Sequence, residues 1–251
     1  MKSRRHVALL ITTTLLISLI TAVTTIRTQE QRDQNNDRQK KIDRNEFKNR
    51  LPLADYAAPE STDPKQREKR HKRGEKYNKS SWSIDPADPS TDTVRVDYTD
   101  PNLPALPVAQ SNTVLVAEVC DAQAYLSNDK TGVYSEFTVR IKRIFKNNTN
   151  MPLSVNDLIN VEREGGRVRF LSGRIHTYAI GDEGVPVVGK EYVLFLKDNI
   201  VNQDIQFHIV TGYELNDNKV SPLDTGPQFR PYQGINLITF LSELSGAMAD
   251  A

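Results

Sequence analysis

The stretch VYSEFTVRIKRI, from Val133 to Ile144, decides the fold. Ser135, Phe137, Val139 and Ile141 fall on one face, and Thr138, Arg140 and Lys142 fall on the other. A period of two marks a strand with one buried and one wet face. Near its end the alternation fails, because Arg143 lands on the apolar side and Ile144 on the polar side. That break predicts a β-bulge around Lys142 to Ile144, bending the strand as a small closed barrel requires.

Strand-like pieces continue on both sides of this stretch, separated by turn residues, in the manner of a barrel or sandwich. Upstream lies the apolar run Thr113 to Asp121. Downstream, Leu158 to Leu171 reads as a hairpin turning on Gly165-Gly166, since primed two-residue turns need positive φ. This register pairs Val161 with Phe170, Glu162 with Arg169 and Glu164 with Arg167. Arg163 then lies opposite Val168, near the turn, where its stem reaches water. Arg167, Arg169 and Arg174 read as a solvated face rather than an anion site.

After a further strand, Arg174 to Ile180, Tyr192 to Leu196 are five apolar residues without alternation, which predicts a central strand covered on both sides. The next strand places Phe207, Ile209, Thr211, Tyr213 and Leu215 on one face, leaving His208 on the other with Gln206 and Glu214, at the surface. Asn216-Asp217-Asn218 turns the chain into a short piece, Lys219 to Pro222. Helical spacing takes over at the C-terminus, where Leu237, Phe240, Leu241, Leu244 and Met248 form one stripe. The expectation is an all-β fold, a mainly antiparallel small barrel of OB-like form or a sandwich, with a C-terminal amphipathic helix packed on its end.

Three regions follow. Residues 112–251 form the β domain, and residues 27–111 read as a disordered stalk, basic at first and then rich in Pro and Asp. Residues 1–26 read as a membrane anchor or signal. Within them residues 6–26 hold no formal charge over 21 positions, behind Lys2, Arg4 and Arg5, a length that fits a single span. The basic flank keeps the N-terminus cytoplasmic and puts the remaining domain outside. An uncleaved anchor is the expectation, because the apolar core is long for a signal and Ala22-Val23-Thr24 is a poor cleavage site. Secretion after cleavage is the alternative. The net charge of +1 conceals separation, with +3 on residues 1–26, +6 on 27–82, −4 on 83–111 and −4 on 112–251.

Catalytic chemistry is not legible. Cys120, the one cysteine, excludes an intramolecular disulfide and sits in an apolar run, so it reads as a small buried hydrophobe. The four histidines, His6, His71, His176 and His208, are scattered, and no cysteine pair or dense acidic loop offers metal-ligand spacing. Neither a phosphate loop nor a Gly-x-Ser-x-Gly elbow occurs. Asn78-Lys79-Ser80 and Asn147-Asn148-Thr149 are glycosylation sequons. No catalytic, cofactor-binding or metal-binding residue is assigned, and no cofactor is expected.

The stretches VYSEFTVRIKRIFKN (Val133 to Asn147), EGGRVRF (Glu164 to Phe170) and VGKEYVLFLK (Val188 to Lys197) resemble a group of uncharacterised bacterial exported or membrane-anchored proteins. The resemblance implies a small OB-type, netrin-like barrel and carries no activity. Netrin-like inhibitors act through a cysteine at the mature N-terminus, and Cys120 lies far from either end.

The functional expectation is a non-enzymatic extracytoplasmic interaction module, tethered to the membrane through its N-terminal helix, whose partner is an envelope protein or polymer. Nucleic acid is not an expected partner. Two alternatives are a barrel enclosing a small apolar or glycan ligand, and a basic stalk that binds an anionic envelope polymer.

Overall fold

The computed structural model describes residues 51–78, 93–95, 100, 102–148, 152–201 and 204–250. The apolar run 6–26 and the first part of the expected stalk, residues 27–50, lie outside them. Among the described residues no helix is long and apolar enough to cross a membrane.

The described residues form ten strands and two α-helices: β1 (Leu53–Asp55), α1 (Pro64–Glu75), β2 (Thr93–Arg95), β3 (Thr113–Leu126), β4 (Val133–Lys146), β5 (Leu158–Glu164), β6 (Gly166–Arg169), β7 (Ile175–Ile180), β8 (Glu191–Val201), β9 (Asp204–Asn216), β10 (Lys219–Pro222) and α2 (Leu237–Ala249). A 3-10 helix, Pro227–Tyr232, precedes α2. The larger sheet runs β10-β9-β5-β4-β3-β8, and β8 also pairs with β9. Strands β9, β5, β4, β3 and β8 thereby close a ring. All its pairings are antiparallel except β5 with β9, where Val161 faces Phe207.

The alternating stretch is β4, and its expected bulge is present. Ile141 pairs with Ala117 and Arg143 with Val116, leaving Lys142 as the extra residue. A second shift overturns the reading of Cys120. Val119 pairs with Val139 and Asp121 with Thr138, so Cys120 is itself an unpaired residue of β3. The change of parity turns its side chain outward, and Cys120 is exposed rather than buried.

The hairpin at Gly165-Gly166 does not form. Both edges of β5 are already occupied, one by β4 and the other by β9, so β6 has no edge to join. It enters a second sheet instead, of order β1-β6-β7-β2, where Gly166 pairs with Tyr178 and Val168 with His176. The two glycines serve this transfer between sheets. Gly165 has a φ of 107°, and a Cβ on Gly166 would lie 3.0 Å from the Cβ of Ala124 and 3.2 Å from Ser135 Oγ.

Tyr192 to Leu196 are buried throughout, between β3 and β9, as the unbroken apolar run predicted. One of their faces belongs to a core where Val114, Val116, Val193, Phe195 and Tyr213 meet Phe229, Phe240 and Leu244. α2 therefore packs with the stripe expected of it, and Asn236 caps its start by accepting from Ile238 N at 2.9 Å. Tyr213 is the hub of this core. Its ring lies 4.8 Å from that of Phe240 and 5.5 Å from that of Tyr232, and its hydroxyl donates to Ala105 O at 2.5 Å.

The domain also begins earlier than residue 112. Val108 is buried in the same core, with Leu103, Ala105 and Leu106 packed against it. Residues 51–78, placed by composition in the disordered stalk, contain β1 and α1. β1 runs parallel to β6, pairing Leu53 with Arg167, and Ala54 joins a small core with Ala124, Val133, Val168, Phe170 and Tyr178.

Candidate functional site

The site is built on α1. Asp63 caps the helix, accepting from Lys65 N at 3.0 Å, and Pro64 stands first inside it. The helix carries Lys65, Arg67, Lys69, Arg70, Lys72 and Arg73 against only Glu68 and Glu75. With no apolar stripe, its docking must come from polar and aromatic contacts. Arg73 Nη1 reaches Glu136 Oε2 on β4 at 2.7 Å, and Lys76 Nζ reaches Glu162 Oε1 on β5 at 2.9 Å. Tyr77 stacks on Tyr134 with centroids 4.4 Å apart and planes 10° from parallel. Asn128 Nδ2 donates to His71 O at 2.8 Å, and a Cβ on Gly74 would lie 2.4 Å from Asn128 Oδ1. A helix read as stalk is thus strapped along β3, β4 and β5.

A cleft of about 480 Å³ opens beside this strap, between α1, the segment after β1, and the end of β3. Arg70 lies over the Tyr125 ring at 3.4 Å, and Lys130 Nζ lies 4.6 Å over the Tyr56 ring. Lys130 also donates to Tyr56 O at 3.3 Å. Arg67 and Arg169 complete four cations on the wall, against two carboxylates, Asp55 and Glu60. Both carboxylates are engaged, Asp55 accepting from Ala57 N at 3.0 Å and Glu60 facing Arg67 Nε at 3.6 Å. Arg70 and Arg169 are both exposed, and Arg169 has Asp55 as its cross-strand neighbour.

Arg169 is solvated, as expected, yet it lines the cleft, and its expected partner Glu162 is instead bound to Lys76. Arg167 donates from Nε to Leu51 O at 2.8 Å. Arg174 is exposed at the β6–β7 turn, and His208 is exposed on β9. The sequon residue Asn147 has its side chain engaged with both Leu153 N and Leu153 O. Among the described residues no group of three His, Cys, Asp or Glu converges on a possible metal position.

Arg163 is the largest departure. Expected at the water's edge, it is 1% exposed and makes a fork to Asp224, Nη1 to Oδ1 at 2.7 Å and Nη2 to Oδ2 at 2.9 Å. Its Nη1 also donates to Gly184 O at 2.6 Å, and its Nε faces Glu183 Oε2 at 3.2 Å. Burial lowers the guanidinium pKa, but Asp224 and Glu183 outweigh it and leave the value raised. The charge therefore ties β5 to the loop before β8 and to the segment after β10, a structural joint away from the cleft wall.

No protein-family model, curated protein or solved structure matches the chain.

Proposed function

We propose that the protein is a non-enzymatic binding module working outside the cytoplasm at the cell envelope, tethered by residues 6–26. The observation that carries this reading is the cleft. Two of its cations, Arg70 and Lys130, sit on tyrosine faces, an arrangement suited to gripping a ligand rather than activating one. The apolar run and its basic flank supply the tether and the orientation.

The strand order of the ring supports the same reading. A ring in the order β3-β4-β5-β9-β8, with β5 and β9 parallel, follows the strand order of an OB-type barrel. Barrels of that type bind ligands with loops such as the one after the first strand, and here that loop supplies Asn128 and Lys130 to the cleft. A ligand enclosed inside the ring has less support. Eight strands are needed before a barrel just holds one small molecule, and this ring has five.

A photo-crosslinking residue at Lys130 of the full chain, in living cells, tests the proposal. The expected result is an adduct to an envelope component that is missing when the residue is placed at Asp217. Equal labelling from both positions, or a domain that added protease cannot reach once the outer envelope is opened, would contradict it.

A further inference from the structure

We propose that the cleft is a receptor for a phosphomonoester group, held by Arg70 and Arg169 with Arg67 and Lys130 beside them. The proposal rests on the cleft being the binding site and names what it binds.

Stacking fixes Arg70 without using it up. Its guanidinium lies over Tyr125 at 3.4 Å, which occupies one face, while the in-plane N–H edge remains the part that recognises an oxyanion in a fork. Lys130 is held in the same way over Tyr56, so two cations are placed before a ligand arrives. Arg169 comes from a different sheet. The pairing of β1 with β6 brings Asp55 opposite Arg169 and sets that arginine on the cleft wall, across from α1.

Charge decides between oxyanions. Arg67, Arg70, Lys130 and Arg169 stand against Asp55 and Glu60, which leaves two positive charges uncompensated. A phosphomonoester at neutral pH carries about −1.5 to −2, whereas a single carboxylate leaves half of the excess unmatched. The carboxylates present do not close the cleft, because Asp55 is turned to its own backbone at Ala57 N and Glu60 is drawn to Arg67.

The phosphate can be carried by a soluble sugar or by a lipid headgroup, and the test separates these sources. Isothermal titration of the full chain in a neutral detergent uses glucose 1-phosphate, glucose and short-chain dioctanoyl phosphatidic acid. Saturable binding of glucose 1-phosphate without binding of glucose, weakened at least tenfold in R70Q/R169Q and unchanged in R174Q, supports a soluble source. The same pattern with phosphatidic acid alone supports a lipid source. R70Q/R169Q must keep the parent melting temperature. If it does not, K130Q replaces it with the same expectation.

Glucose binding as tightly as its phosphate, binding that survives R70Q/R169Q, or binding of neither phosphate would overturn the proposal. Should phosphate binding fail while the crosslink from position 130 persists, the phosphate assignment falls and the binding module stands. Phosphate binding without that crosslink has the opposite meaning: the cleft holds phosphate, and the envelope partner falls.

Discussion

Arg73 Nη1 lies 2.7 Å from Glu136 Oε2, joining a helix to a strand of the larger sheet 63 residues away, with the two side chains only 6% and 13% exposed. A charge pair this sheltered is barely screened by salt, and removing one member strands the other. Arg73→Ala is expected to cost about 3–5 kcal/mol, as is typical of a broken buried pair. Urea denaturation of the single and double variants with Glu136→Ala measures it. Additive losses would mean that the pair is not coupled.

The Arg163 joint is still more enclosed, since Asp224 is fully buried beneath it. Arg163→Ala leaves that carboxylate without its fork, and a loss of about 3–5 kcal/mol is expected. Replacing Arg163 and Asp224 together by Met and Leu should cost clearly less, because both charges then leave the interior. Thermal melts of the two variants decide the point. Equal losses would place the joint's value in shape rather than charge.

Cys120, the extra residue of the β3 bulge, is open to reagents. In the native protein it should titrate with a disulfide reagent without denaturant, and Cys120→Ser should change stability by no more than about 0.5 kcal/mol, as exposed substitutions do. A thiol that reacts only after unfolding would contradict the register of β3.

Tyrosines give the molecule an alkaline limit. Burial, with Glu162 nearby, raises Tyr77 well above its usual value, and burial likewise raises Tyr134 and Tyr213. Unfolded tyrosine loses its proton near pH 10. Above that pH the unfolded state binds fewer protons than the native state, so stability contributed by these groups is present below pH 10 and declines as pH rises further. Phenolate absorbance followed against pH should therefore rise in step with unfolding. Full ionisation of all nine tyrosines with the far-ultraviolet spectrum intact would refute this.

The sequence carried β4 and β9 because each buries one face and keeps its alternation, and β8 because its apolar run is unbroken; even the bulge at Lys142 was readable where the alternation of β4 slipped. Cys120 was misread for the complementary reason. The run Val114 to Ala117 before it is apolar on both faces of the strand, so the sequence offers little parity to break. The hairpin failed because charge matching between Glu162 and Arg169 is a local argument, while β5 already had β4 and β9 at its edges. α1 was hidden by composition. A helix held by Arg73, Lys76 and Tyr77 has no apolar stripe to announce it.

The cleft exists only if α1 stays docked, so hydrogen exchange at α1 in the full chain is the most direct measurement. Amides in the body of Pro64–Glu75, beyond its first turn, should exchange at least a hundredfold more slowly than in an isolated peptide of the same sequence. That protection should vanish in R73A/K76A while β3 and β4 remain protected. Peptide-like exchange of α1 in the parent protein would contradict the strap, and with it the cleft.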